Sequence, residues 1–233
     1  KVAMRSGPHQ RRLLAAGEPR EAELICRKGQ WFFNLVIDIA VPPKPFNGIV
    51  VGVDVGEVKL AACSTGGLWG GEQLRHRRDG HLALRSRLPP DLIRGHGSES
   101  ALQLLRKVSG KESRRVRHVN HEVSKAIVAE ALSIGATLIA LEDLTDIRSR
   151  ISAGKRVRTR LHRWSFRQLQ TFVAYKAAAA GIDSIFVDPA YTSKTCSACG
   201  RIGKRQRHRF VCLCGLRAHA DLNASRNIAR IPD

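Results

Sequence analysis

By the spacing of its apolar positions, the chain reads as strand-like runs near its start and alternating strands and helices beyond. "AELICRKGQWFFNLVIDIAV" (22–41) holds two β-type runs around Lys28-Gly29, a hairpin pattern. A single hairpin is marginal in water, so this one is expected to be the end of a larger barrel or to pack on the segments C-terminal to it. "PPKP" (42–45) marks a boundary. From Gly48, "GIVVGVDVG", "KLAACST" and "GEQLRHRR" read as three consecutive strands with glycine-rich turns, an antiparallel meander. A long helix is predicted from about Ser98 to Ile134. There Leu102, Leu105, Val108, Val116, Val119, Val123, Ile127 and Ala131 form one apolar stripe in a segment otherwise rich in Arg and Lys. "ATLIALEDL" (136–144) is a buried-type strand, and a basic loop occupies 148–163. "WSFRQLQTFVAYKAAAAG" is a helix stopped by Gly181, "DSIFVDP" is another strand, and "HADLNASRNIARI" is a short helix.

One residue breaks the apolar pattern of the first of these strands. Asp54 sits in the middle of "GIVVGVDVG", and a charge buried in a strand costs several kcal/mol unless something pairs with it. Taken alone, an Asp at a strand end reads as a turn former or a helix cap. Glu142 and Asp143 end the later strand. Because neighbours on a strand point to opposite faces, Glu142 is assigned to the side of Asp54 and Asp143 is left outside. Asp221, ahead of the last helix, is the third such carboxylate. Carboxylates converging from separate elements can hold two Mg²⁺ ions about 4 Å apart for phosphodiester cleavage. His219, two residues before Asp221, is a spare metal ligand or simply a neighbour of the site.

Charge narrows the partner. The chain has 233 residues, with 40 Lys and Arg against 20 Asp and Glu, a net +20, and 43% apolar residues. That length suits one sizeable domain plus a small module. A strongly basic chain with a real core suits a polyanion, most commonly nucleic acid. It has neither an apolar run of membrane-spanning length nor the layout of a signal peptide, which predicts a soluble intracellular protein without a membrane role.

Six cysteines in a reducing compartment point to metal rather than disulfides. Cys196 and Cys199 form C-x-x-C, Cys212 and Cys214 form C-x-C, and twelve residues separate the pairs. Two such knuckles suit a tetrahedral Cys₄ zinc ribbon. Between them "RIGKRQRHRF" is dense in cations that could touch a phosphate backbone. Cys26 and Cys63 stand alone and are expected to be small packing residues.

"GVDVG", "ALEDL" about ninety residues later, "TSKTCSACG" and "FVCLCGLRAHADLNASRNI" together resemble the C-terminal half of the TnpB family, also called OrfB, of insertion-sequence transposons. That family is similar to the type V CRISPR effector nucleases. The resemblance covers roughly residues 22–231. It implies an α/β fold: an RNase H-like, RuvC-type nuclease domain with an inserted Cys₄ zinc ribbon, preceded by a remnant of a β-barrel. On this basis the expected division is 1–47 barrel (wedge) remnant and linker, 48–191 first part of the nuclease domain, 192–218 zinc ribbon, and 219–233 last nuclease helix. The acidic triad maps onto Asp54, Glu142 and Asp221, with catalytic Mg²⁺ there and structural Zn²⁺ on Cys196, Cys199, Cys212 and Cys214.

The implied partners are target DNA and a guide RNA derived from the transposon, with pairing reading sequence and protein reading shape. The implied location is the prokaryotic cytoplasm, associated with the nucleoid. Family members carry a developed N-terminal half, so the chain resembles a truncated member. Two other readings compete. One is a truncated, non-cleaving RNA- or DNA-binding regulator of the intact nuclease. The other is a strand-transferring transposase, whose usual carboxylate order of Asp, Asp, Glu differs from the Asp, Glu, Asp found here.

Overall fold

The computed structural model describes residues 4–27, 29–41, 44–56, 58–144, 166–188 and 190–230. It divides into two compact units, Lys1–Pro43 and Lys44–Asp233.

The first unit holds a helix, α1 (Pro8–Ala16), and two strands, β1 (Glu18–Arg27) and β2 (Gln30–Asp38). Proline near the start of α1 suits a first turn whose N–H groups lack helical partners. The strands pair antiparallel, with Cys26 opposite Trp31 and Leu24 opposite Phe33, and Gly29 takes a left-handed φ of 75° beside the turn. The expected hairpin is therefore present, whereas α1 carries no apolar stripe that would have announced it. Among the described residues the unit is a two-stranded ribbon, not a barrel. Its aromatic residues face outward, Trp31 being 67% exposed. Cys26 is exposed as well, contrary to the packing role expected of it.

The second unit is built on one mixed sheet in the order β5-β4-β3-β6-β7. These strands are β3 (Val50–Asp54), β4 (Lys59–Cys63), β5 (Leu68–Gly70), β6 (Leu138–Glu142) and β7 (Asp183–Val187). β3, β4 and β5 form the expected antiparallel meander, and β6 and β7 add to it in parallel. The third strand is Leu68–Gly70, however, and "GEQLRHRR" belongs to a helix, α2 (Glu72–Ser86). That segment lacks β-branched and aromatic residues, so nothing held it extended once Gly71 had closed the turn. A short turn, α3 (Pro90–Ile93), leads to α4 (Glu99–Ser133), whose 35 residues extend over about 50 Å. Ser98 caps it by accepting the Ala101 N–H.

Val116, Val123, Ile127 and Ala131 of α4 are buried with Leu169, Val173 and Ala177 of α5 (Phe166–Ala179) against Val51, Val53, Ile139 and Leu141 of the sheet. Gly181 follows α5 at φ 71°, as a helix stop requires. Cys63 lies in this core as expected, its thiol pushed up chiefly by burial and then by Glu130. Three short strands then form a second sheet: β8 (Lys204–Gln206), β9 (Arg209–Val211) and β10 (Arg217–His219), in the order β10-β9-β8. The chain ends its described course in α6 (Ala220–Ile228).

α6 lies directly on β3. A Cβ placed on Gly52 would sit 2.0 Å from the Ser225 carbonyl oxygen and 2.4 Å from the Ala229 nitrogen, so only glycine permits this approach. No helix among the described residues is long and apolar enough to cross a membrane.

Candidate active site

β3 and β6 run parallel as neighbours, with Val53 opposite Leu141, so both strands finish at the same edge of the sheet. Asp54 is the last residue of β3 and Glu142 the last of β6. Asp221 enters from the first turn of α6, the helix that Gly52 allows onto β3. Three distant parts of the sequence are thus brought into electrostatic range. Burial, and then the carboxylates of Glu142 and Asp221, push Asp54 up to about 8 from its ordinary 3.8, while Arg205 and the Val55 N–H oppose the rise. Glu142 is 8% exposed and also raised by burial, against the opposing effects of Thr192 and Arg205. Asp143, the next residue along, is exposed.

Glu142 and Asp221 are held by neighbouring side chains. Thr192 Oγ1 donates to Glu142 Oε1 at 2.5 Å, and Gln170 Nε2 donates to the Glu142 carbonyl at 2.6 Å. Arg205 Nη2 donates to Asp221 Oδ1 at 2.7 Å. Gly56, Val58, Arg205, Arg207, His208 and Asp221 line a cleft of about 490 Å³. His219 is the N-cap of α6, its Nδ1 accepting the Asp221 N–H at 3.3 Å, which explains its place beside the site. Thr192 and Arg205 are the site neighbours that the sequence did not single out. Arg205 is one cation among many in "RIGKRQRHRF", and Thr192 lies 50 positions from the carboxylate it touches.

The thiols form a separate and tighter group. Sγ of Cys196 lies 3.6 Å from that of Cys214, Sγ of Cys199 lies 3.6 Å from that of Cys212, and all four fall within 4.8 Å of one another. Among the described residues no group of carboxylates closes up so far. Four thiols so gathered can bind a metal ion. Their support is a small core of Cys196, Phe210, Cys212 and Ala220. The basic loop expected at 148–163 lies outside the described residues.

Residues 166–228, from α5 through the cysteines to α6, match the family model "Cas12f1-like, TNB domain". The Cas12f1 CRISPR-associated endodeoxyribonuclease of Sulfoacidibacillus thermotolerans is 34% identical over 220 residues, covering 87% of this chain and 50% of the relative. A TnpB-like protein of Methanocaldococcus jannaschii is 43% identical over 98 residues, covering 42% of this chain and 35% of the relative. The chain is similar to the TnpB-like and Cas12f proteins.

This TnpB-like chain thus spans half the length of the first of these relatives and about a third of the second. A solved Cas12f1 complex with single-guide RNA and target DNA superposes with a TM-score of 0.62 at 20% identity, covering 89% of this chain and 55% of that one. A second, a CRISPR-Cas12f ternary complex, reaches 0.63 at 23% identity, covering 91% and 44%. At such identities the likeness is one of fold.

Proposed function

We propose that the chain is the nuclease half of a transposon-associated, RNA-guided DNA endonuclease. Its site would be of the RNase H-like, RuvC type, hydrolysing phosphodiester bonds at Asp54, Glu142 and Asp221. The observation that carries this reading is the placement of the three carboxylates, Asp54 and Glu142 at the shared edge of β3 and β6 and Asp221 on the helix seated on β3, where burial and then mutual repulsion push Asp54 up to about 8 despite Arg205. A cluster this short of positive charge is relieved by a cation, and an all-oxygen donor set suits Mg²⁺. Bound there, Mg²⁺ supplies Lewis-acid charge for the attacking water and for the leaving 3′-oxygen.

The residues of the chain do the holding. Asp54 and Glu142 are fixed by the ends of paired strands, Asp221 by a helix packed on one of them, and Glu142 is oriented by Thr192. Arg207 and His208 line the cleft beside Asp221 and offer positive or hydrogen-bonding groups to a phosphate backbone. At the cysteines zinc is the metal favoured. Zn–S bonds of about 2.3 Å span a tetrahedron with edges of about 3.8 Å, and the closest Sγ pairs stand at 3.6 Å.

The proposed division is 1–47 barrel remnant and linker, 48–191 and 219–233 nuclease domain, and 192–218 zinc ribbon. DNA and a guide RNA are the proposed partners. The net charge of +20 and the activity carried in the relative's name, an endodeoxyribonuclease, support them. The competing reading of a non-cleaving nucleic-acid-binding regulator is favoured by one feature, the guanidinium of Arg205 seated on Asp221. One experiment separates the two: cleavage of labelled single- and double-stranded DNA in Mg²⁺, with and without RNA copurified from the host. Cleavage that disappears in Asp54→Ala supports the nuclease. Tight, salt-sensitive binding without turnover supports the regulator.

A further inference from the structure

Asn223 is fully buried on α6, two residues beyond Asp221. Both ends of its amide are engaged by the first cysteine knuckle. Its Oδ1 accepts the Ser197 N–H at 2.9 Å, and its Nδ2 donates to the Thr195 carbonyl at 2.7 Å. One turn further along the helix, Asn227 Nδ2 donates to the same Thr195 carbonyl at 2.6 Å and to the Thr192 carbonyl at 2.8 Å. The Thr195 N–H returns to the Tyr191 carbonyl at 3.0 Å, closing the loop on itself. Tyr191 itself holds a left-handed φ of 65°, a conformation that bulky residues adopt only where surrounding contacts impose it. In the same loop the Thr192 hydroxyl donates to Glu142.

Cys196 stands between Thr195 and Ser197, two of the three residues that these asparagines grip. A continuous hydrogen-bonded path therefore runs from the thiol cluster, through Asn223 and Asn227, to the helix carrying Asp221. Through Thr192 it reaches Glu142. The bistable part is the cysteine module, because a small metal ribbon is ordered with its metal and disordered without it.

We propose that Thr192, Asn223 and Asn227 are positioning residues that couple the two centres, so that metal at the cysteines sets the affinity of the carboxylate site for a divalent cation. The inference rests on the carboxylate site proposed above. Coupling of this kind is reciprocal, so a cation at the carboxylates also tightens metal retention at the cysteines by the same factor. Partners of metal-ligating groups commonly change affinity by about 10–100-fold when removed.

The test uses the full chain and Mn²⁺ as the probe, with free ion read by electron paramagnetic resonance and zinc content read after chelator release. Thr192→Val keeps the shape and removes the hydroxyl. It is expected to weaken Mn²⁺ binding about tenfold while retaining wild-type zinc, and Thr192→Ser is expected to restore the affinity. Stripping zinc from the wild type should weaken Mn²⁺ at least as much, and should weaken it less in Thr192→Val, where the path is already cut. Unchanged Mn²⁺ affinity in zinc-loaded Thr192→Val, or in zinc-stripped wild type, overturns the coupling alone. Mn²⁺ bound equally well by Asp54→Asn overturns the carboxylate site and the coupling with it.

Discussion

The thiol cluster and the carboxylate cluster are built in opposite ways within one compact unit. Four thiols come from two short knuckles less than twenty residues apart and close to within 4.8 Å. Three carboxylates come from β3, β6 and α6, and their closeness depends on a whole sheet and on one glycine beneath a helix. The thiol cluster can form wherever its knuckles fold. The carboxylate cluster exists only when the core is complete, and it keeps electrostatic strain that the core must bear. The two centres should therefore be lost for different reasons, and loss of the cysteine metal should loosen the carboxylate site without dismantling the core.

The strongest response is expected at the carboxylates. Asp54→Ala should lower Mg²⁺-dependent cleavage by at least about 10³-fold, corresponding to some 4 kcal/mol of lost transition-state stabilisation, with the fold retained by circular dichroism. Next is the local centre: Cys196→Ser should lose the bound metal and expose the segment between the knuckles to trypsin, while the hydrophobic core of α4, α5 and the sheet persists. Simultaneous collapse of both would erase the distinction. A smaller change belongs to Arg205, which holds Asp221 where a metal cation would otherwise be its partner. Arg205→Ala should tighten Mn²⁺ binding by about threefold, roughly 0.7 kcal/mol, in a direct titration.

A separate response, read in stability rather than in cleavage or metal affinity, is that to pH in magnesium-free buffer. With Asp54 near 8 in the folded chain and 3.8 as its ordinary value, the folded state holds a proton that the unfolded state has released. Its contribution to stability therefore declines as pH rises between those values. Urea midpoints should fall from pH 5 to pH 7.5 more steeply in the wild type than in Asp54→Asn, and equal slopes would show that burial leaves Asp54 ionised.

The same contrast explains what the sequence disclosed. The Cys₄ cluster was legible because its geometry is local, set by C-x-x-C and C-x-C. The buried ends of β3 and β6 were legible because a carboxylate closes an apolar run in each. What pairs with those carboxylates was not, since Arg205 is one of several cations in its stretch and Thr192 touches Glu142 only through the fold. Asn223 and Asn227 read as polar residues of a short helix until the knuckle they grip is in place. "GEQLRHRR" reads as a strand yet folds as a helix, because its polar residues carry no hydrophobic period strong enough to separate the two.

The seating of α6 against Gly52 also bears on timing. Asp54 and Glu142 leave the ribosome before Asp221, and at about 5–20 residues per second the interval from Glu142 to Asp221 is roughly 4–16 seconds. During it the sheet can form while its acidic edge still lacks the helix. A nascent chain of this kind carries an incomplete carboxylate cluster, so the proposed site is assembled only when α6 has been delivered.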